Sequence, residues 1–313
     1  MLRDEASIGA VGGVARVVSA TESKAVTPGF GRGFFLRERA ESIVAQQSYS
    51  RRVFLFQSIG SILVVTKPKD LRSGHSIWEG RSGVAHRPLT RDVEVDVLLI
   101  GAGITGAMIA DALDLSGFKV AIADKRGVAK GSTTASTALV QFEIDTPLTK
   151  LTRKIGKADA VRAWRRTRLA VDALAARFRE LDVPDVVQRD SLYLAGDMLH
   201  GDALTREHEA RRAVGLASHY LDRKTLRVRF GLTRQAALLG YGNLTIDHRK
   251  ATLAFLRAAT SHKTKIFAPV EIVDIQTKQA GITATAADGK HIHCRYLVFA
   301  TGYELSDRVP RRG

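Results

Sequence analysis

The chemistry-bearing stretch of this sequence is Gly101-Ala102-Gly103-Ile104-Thr105-Gly106. It follows the apolar run Val93 to Ile100, and Asp124 stands 23 positions after Gly101. Each position has a physical task. Gly101 permits a tight turn out of a strand, Gly103 lets the backbone approach a pyrophosphate, and Gly106 lets a helix pack closely on a sheet. The free N–H groups and positive dipole end of the helix that follows, to about Leu115, then face phosphate charge. Asp124 is placed to accept hydrogen bonds from ribose hydroxyls. Its carboxylate would repel a 2′-phosphate, which argues against NADP. The spacing is close to the roughly 20 residues of a dinucleotide fold. A lone glycine pattern is weak evidence, but here strand, helix and distal acid agree on a dinucleotide site, Gly101, Gly103, Gly106 and Asp124 included.

The elements that must hold these residues read outward from them. Phe118 to Asp124 is a second strand. Lys125 to Gln141 is rich in Gly, Ser and Thr, and is expected to open a second helix whose hydroxyls and N–H groups cap it or hold phosphate or a ring edge. From Lys150 to Leu181 apolar residues recur every three or four positions, which predicts one helix with a core face and a solvated face of Arg162, Arg165, Arg166 and Arg168. Pro184 ends it. Ser191 to Ala195 is a short strand and residues 203–218 a charged helix. Gly240 to Asp247 leads into a helix near Arg249 to Ala259. Three strand-like runs follow, 265–275, 281–286 and 291–300, with a hairpin turn at Asp288-Gly289. His208, His219 and Tyr220 show no metal-ligand spacing and read as surface residues. His291 and His293 share a strand face but lack a third ligand.

Composition narrows the classes. With 313 residues there is room for two domains with real cores. The formal net charge of +16 would suit an anionic partner, yet no zinc-finger spacing or aromatic-basic strand signature accompanies it, so it reads as a solvated basic surface. Cys294 is the only cysteine, which excludes an internal disulfide and a cysteine pair. No apolar run reaches the roughly 18–20 residues of a membrane span. Residues 1–69 lack a stable period and read as a basic, disordered extension. Within them Ser50-Arg51-Arg52 before a short apolar run resembles a twin-arginine export signal, although no small-x-small cleavage site follows. A cytoplasmic location is therefore expected, with export as the alternative. From Asp70 onward an ordered arm, with Trp78 as a packing anchor, leads to the first strand.

Taken together, Gly101 to Gly106 with Asp124, the Gly131 to Thr137 loop, the Gly242 to Asp247 approach to a helix, and Asp288-Gly289 followed by Leu297-Val298-Phe299-Ala300-Thr301-Gly302 resemble FAD-dependent oxidoreductases of the D-amino-acid oxidase and glycine oxidase superfamily. The likeness runs from about Asp92 to Glu304. It implies FAD as cofactor, its pyrophosphate on the backbone of Gly103, Ile104 and Thr105, and its ribose on Asp124 with Lys125 near the adenine. It implies Val270 as the residue whose backbone meets the adenine, and Ser132, Ser136 and Thr137 as phosphate and flavin contacts. Ala300, Thr301 and Gly302 become the strand end near the cofactor. The sequence departs from the family where His248 stands in place of a common proline. It also stops at Gly313, where members usually continue into an Arg-bearing substrate segment and a last glycine-rich flavin contact. For that reason no catalytic residue is assigned.

The expected fold is α/β: a Rossmann-like FAD-binding domain with a parallel sheet and helices on both faces, plus a partial α+β substrate domain. The expected division is 70–185 with 243–313 for the FAD-binding domain and 186–242 for the substrate domain. The expected activity is oxidation of an amino acid or other amine by hydride transfer to flavin, with a small molecule as partner and no nucleic acid. The alternatives are a shortened flavin-binding protein without catalysis and an NAD-dependent dehydrogenase. Oligomeric state is not read from the sequence.

Overall fold

The computed structural model describes residues 16–19, 76–80, 83–302 and 304. The expected disorder of the extension and its Ser50-Arg51-Arg52 signal lie outside those residues, apart from the strand β1 (Arg16–Ser19).

A seven-stranded sheet forms the centre. Its order is β8 (Lys265–Phe267), β3 (Val120–Ala123), β2 (Val93–Ile100), β11 (His291–Phe299), β10 (Gly281–Ala286) and β9 (Ile272–Lys278), and β1 also pairs with β11. The first four strands are parallel, with Val97 opposite Val120 and opposite Tyr296. The rest is an antiparallel meander turned at Asp288 and Gly289. Strands 120–123 and 97–99 are buried on both faces, as the middle of a parallel sheet requires.

Among the described residues helices lie on one face only, in place of the expected two helical layers. α1 (Ile104–Leu115), α3 (Lys157–Glu180) and α6 (His248–His262) share one apolar core with Val97, Leu99, Val120, Ile122, Ile266 and Val298. The opposite core holds no helical residue and is closed by Ile282, Ala284 and Ala286 of β10 with Leu89. The reason is connectivity: β9, β10 and β11 join through short turns, so no helical crossover exists to cover that side. The arm before β2 serves both layers, because Val84 enters the helix-side core and Leu89 the opposite one.

A second sheet of four strands contains β4 (Leu139–Val140), β7 (Ala236–Thr245), β5 (Val187–Leu194) and β6 (His219–Asp222), all antiparallel to β7. The charged stretch after residue 200 is not one helix. α4 (Asp202–Ala213) stops before Gly215, and β6 and α5 (Arg223–Phe230) follow. The predicted helix from 150 is likewise two, α2 (Leu148–Ile155) and α3, broken at Gly156 with φ +84° and ψ 158°. The N-terminus of α2 is held by the buried Glu207, which accepts from Leu148 N–H and Thr149 N–H, each at 2.8 Å, and from the Thr149 hydroxyl at 2.7 Å. Arg211 pairs with Glu207 at 2.8 Å and lies over the Trp164 ring.

The arginine face of α3 is more than solvated. Arg165 donates to the Val214 carbonyl. Arg168 lies over Phe142, donates to the Tyr241 carbonyl and pairs with Asp172, tying α3 to the second sheet.

Candidate cofactor site

The glycine turn is built by contacts that leave no room for side chains. Gly101 has φ +116°, and a Cβ there would overlap the Ala300 carbonyl. A Cβ on Gly106 would overlap the Gly101 carbonyl, so α1 sits directly on the end of β2. A Cβ on Gly103 would stand 2.8 Å from the Thr133 hydroxyl oxygen, which accepts the Ile104 N–H at 3.0 Å. Thr133 therefore supplies the cap that the first residue of α1 lacks locally. It belongs to Gly131–Ala135, a short 3-10 turn rather than the expected second helix, and three residues separate it from β4.

Asp124 follows β3. Its Oδ2 accepts the Ala102 N–H at 2.8 Å, and its Oδ1 accepts the N–H groups of Arg126 and Gly127 at 2.8 and 2.9 Å. A carboxylate has about four lone-pair sites, so one is left for a ligand hydroxyl. Lys125 pairs with Glu304 at 2.7 Å and lies 3.9 Å from Glu271, and Arg126 pairs with Glu304. These exposed pairs offset the local positive charge and add little stability. The Val270 N–H donates to the Asp124 carbonyl at 2.8 Å.

These pieces meet at a cavity of about 880 Å³ beyond the carboxyl ends of β2, β3 and β11. Gly101, Gly103, Ile104, Thr105, Asp124, Lys125, Ser132, Ser136, Thr137, Val270, Ala300, Thr301 and Gly302 line it, while Gly106 lies behind the wall and acts through packing. The Ser136 hydroxyl accepts the Ala138 N–H at 3.2 Å, which stabilises the bend out of the turn. Sequence reasoning missed the apolar wall of Met108, Val140, Leu174, Phe178 and Ile246, and it missed His248 as a wall residue. His248 is buried with neither ring nitrogen paired, and burial holds it below the usual histidine range, with the Asp247 charge offsetting part of that. The Thr301 hydroxyl is also buried without a partner.

Other reactive types lie elsewhere. Cys294 is buried in the opposite core, where desolvation pushes its thiol up to about 11. His291 and His293 pair with the Thr285 and Thr283 hydroxyls. Among the described residues no group of His, Cys, Asp and Glu is arranged to hold a metal ion.

A parallel strand, a glycine turn and a helix N-terminus opening on a cavity at the strand ends define a Rossmann-type dinucleotide-binding fold. Comparison with known proteins names the family. Residues 96–313 match the FAD dependent oxidoreductase family DAO, and the chain belongs to it, with FAD as its cofactor. The residues fit that group: a helix N-terminus for phosphate, a bare-glycine approach and an apolar wall.

The fold is similar to that of L-proline dehydrogenase from P. horikoshii, at 20% identity and TM-score 0.57 over 67% of this chain and 53% of that one. It is also similar to glycine oxidase from Geobacillus kaustophilus, at 22% identity and TM-score 0.53 over 65% and 54%. L-amino acid deaminase from Proteus myxofaciens matches at 17% identity and TM-score 0.53 over 68% and 46%. A curated relative, YhfW of Bacillus subtilis (strain 168), provisionally named a Rieske 2Fe-2S iron-sulfur protein, is 31% identical over 142 residues, 44% of this chain and 28% of its own length. The chain thus spans about half the length of these solved structures, and the match to YhfW spans about a quarter of that protein.

Proposed function

We propose that this chain forms the FAD-holding part of an oxidoreductase acting on an amino acid or another amine. The observation that carries the reading is the single cavity into which the glycine turn, Asp124, the 131–137 loop and the end of β11 all open. FAD bound there would accept a hydride from the carbon that bears the amine. In this reading the N–H groups of Gly103, Ile104 and Thr105 bind the pyrophosphate, and Asp124 takes a ribose hydroxyl through its remaining lone pair. Lys125 and Val270 flank the adenine. Ser132, Ser136 and Thr137 serve the second phosphate and the flavin, with Ala300, Thr301 and Gly302 against the cofactor. The protein's task is to orient and to exclude water. The names of the solved neighbours, a proline dehydrogenase, a glycine oxidase and an amino acid deaminase, support the substrate class.

We assign 70–185 and 243–313 to the FAD-binding domain and 186–242 to a partial substrate domain, with β4 and β7 joining the two. The partner is a small molecule rather than nucleic acid, because the +16 charge comes without a recognition motif. Among the described residues no helix is long and apolar enough to cross a membrane. We place the protein in the cytoplasm, with twin-arginine export through Ser50-Arg51-Arg52 as the alternative. Fractionation of cells expressing it, with and without substitution of both arginines, separates the two. The name of the YhfW relative does not carry over as a cluster site within this chain, since a Rieske centre takes two cysteines and two histidines and this sequence has one cysteine.

The half-length match favours one second reading, a flavin-binding piece that performs no chemistry alone. Titration of the apo-protein with FAD and, separately, NAD tests the leading proposal. FAD should bind and shift the flavin absorption and fluorescence. Tight NAD binding with no FAD binding would overturn it. FAD binding without reduction by any of a panel of amino acids and amines would favour the second reading.

A further inference from the structure

The helix α5 is put together the wrong way round for an ordinary surface helix, which turns its apolar side chains inward and its charges outward. Only Leu226 goes in, fully buried against Leu221, Ala237 and Leu239 of the second sheet. Val228 is 77% exposed and Phe230 37%. Gly231, in the left-handed conformation at φ +68°, ends the helix, and Leu232 just beyond it is 36% exposed. Every residue from 227 to 235 is exposed. Cations are interleaved with these apolar groups. Arg223, Lys224, Arg227, Arg229 and Arg234 lie within twelve positions of one another, and among the described residues none of them is in an ion pair. Arg229 lies over the Phe230 ring, so charge and aromatic share one spot. The one acid nearby is Asp222, which caps the start of the helix by accepting the Thr225 N–H at 2.7 Å. The strands packed against α5 add no other acid, because β7 carries no charged residue and β6 only Asp222. None of these residues lines the cofactor cavity.

We propose that residues 223–235 are a docking surface for an anionic lipid bilayer, with Phe230, Leu232 and Val228 entering the headgroup layer and the surrounding cations on lipid phosphates. The chemistry is complementary on both counts. Clustered Lys and Arg are attracted to an anionic leaflet, and exposed Phe and Leu gain by leaving water for the acyl boundary. A nucleic acid would satisfy the cations alone and leave the apolar groups in water, so the bilayer fits better. The protein would rest on the membrane through its second sheet, without a span.

The test uses the full chain and sedimentation with vesicles, either pure phosphatidylcholine or equal parts phosphatidylcholine and phosphatidylglycerol. Wild type should bind the anionic vesicles, ignore the neutral ones and release as salt is raised. Arg223→Gln, Arg227→Gln and Arg229→Gln together should weaken binding about a hundredfold. Phe230→Ser with Leu232→Ser should weaken it at least about tenfold. Removing the same charge elsewhere, by Lys154→Gln, Arg166→Gln and Arg179→Gln on α2 and α3, should change it little. A Phe230→Trp reporter should shift its emission to shorter wavelength when anionic vesicles are added. No binding to anionic vesicles would overturn the proposal, as would an equal loss in the α2 and α3 control, which would mean attraction by overall charge. Tight binding of duplex DNA through the same arginines without vesicle binding would also overturn it. Should a multiple variant fail to fold, the Phe230→Trp reporter decides, and an emission unmoved by vesicles sinks the idea.

Discussion

Asp124 has two partners to satisfy, the backbone of the glycine turn and the expected ribose. Its three N–H bonds are charge-assisted, so Asp124→Ala should destabilise the fold by about 1–3 kcal/mol in denaturant titration as well as weaken FAD binding. Gly106→Ala should be worse. Its methyl overlaps the Gly101 carbonyl, so α1 must lift off β2, and FAD titration of any folded fraction should show no saturable binding. His248 gives a pH dependence. An unfolded histidine titrates near 6.5, whereas the buried ring in the folded protein titrates lower. Between those values the unfolded chain binds more protons, so the stability present above about pH 6.5 declines as pH falls toward the folded value. Denaturant melts at several pH values should show that decline in wild type and a smaller one in His248→Gln. The glycines and Asp124 were legible in the sequence because their tasks are set within one strand-turn-helix-strand unit. His248 was not, because its burial comes from Trp78 on an arm far away in sequence.

The elements were legible where a period was clean and obscured where a distant side chain set the boundary. The apolar repeat across 150–181 says helix, and both α2 and α3 are helices. The break between them depends on Gly156, whose φ +84° and ψ 158° suit glycine alone. Gly156→Ala meets open space yet should cost about 1–3 kcal/mol from backbone conformation, a loss visible in chemical denaturation. The start of α2 depends on Glu207. Burial pushes its carboxyl up, but bonds from Thr149 and Arg211 together bring it below the ordinary carboxylate range. Its contribution is therefore present above the ordinary carboxylate pKa, near 4.5, and is lost as pH falls through the lower folded value. Glu207→Ala would strand the buried Arg211 and should cost about 3–5 kcal/mol, read as a lowered denaturation midpoint. In the sequence Glu207 and Arg211 look like any charged pair on a surface helix. Only their placement beneath Trp164 and Thr149 makes them interior. The short β6 and α5 escaped notice for a related reason, since arginine-rich residues 219–230 carry little apolar period.

At the scale of the whole molecule the parallel strands were readable from continuous apolar runs, and Val298 stands in the sheet that holds Val97 as those runs led one to expect. The one-sided helical layer was not, because a hairpin turn such as Asp288-Gly289 says which strands are neighbours and not which face stays uncovered. The arm from Ser76 to Leu89 bears on where this protein begins as a folded object. Similarity to the family starts at residue 96, yet Val84 plugs the core on one side of the sheet and Leu89 the core on the other. Burying those two side chains contributes about 3–6 kcal/mol, a large part of what holds an ordinary domain together. The unit that is recognisable by descent is thus smaller than the unit that can stand alone. A fragment cut at Val93 should aggregate or melt at low temperature in calorimetry, while one cut just before Ser76 should keep a cooperative transition.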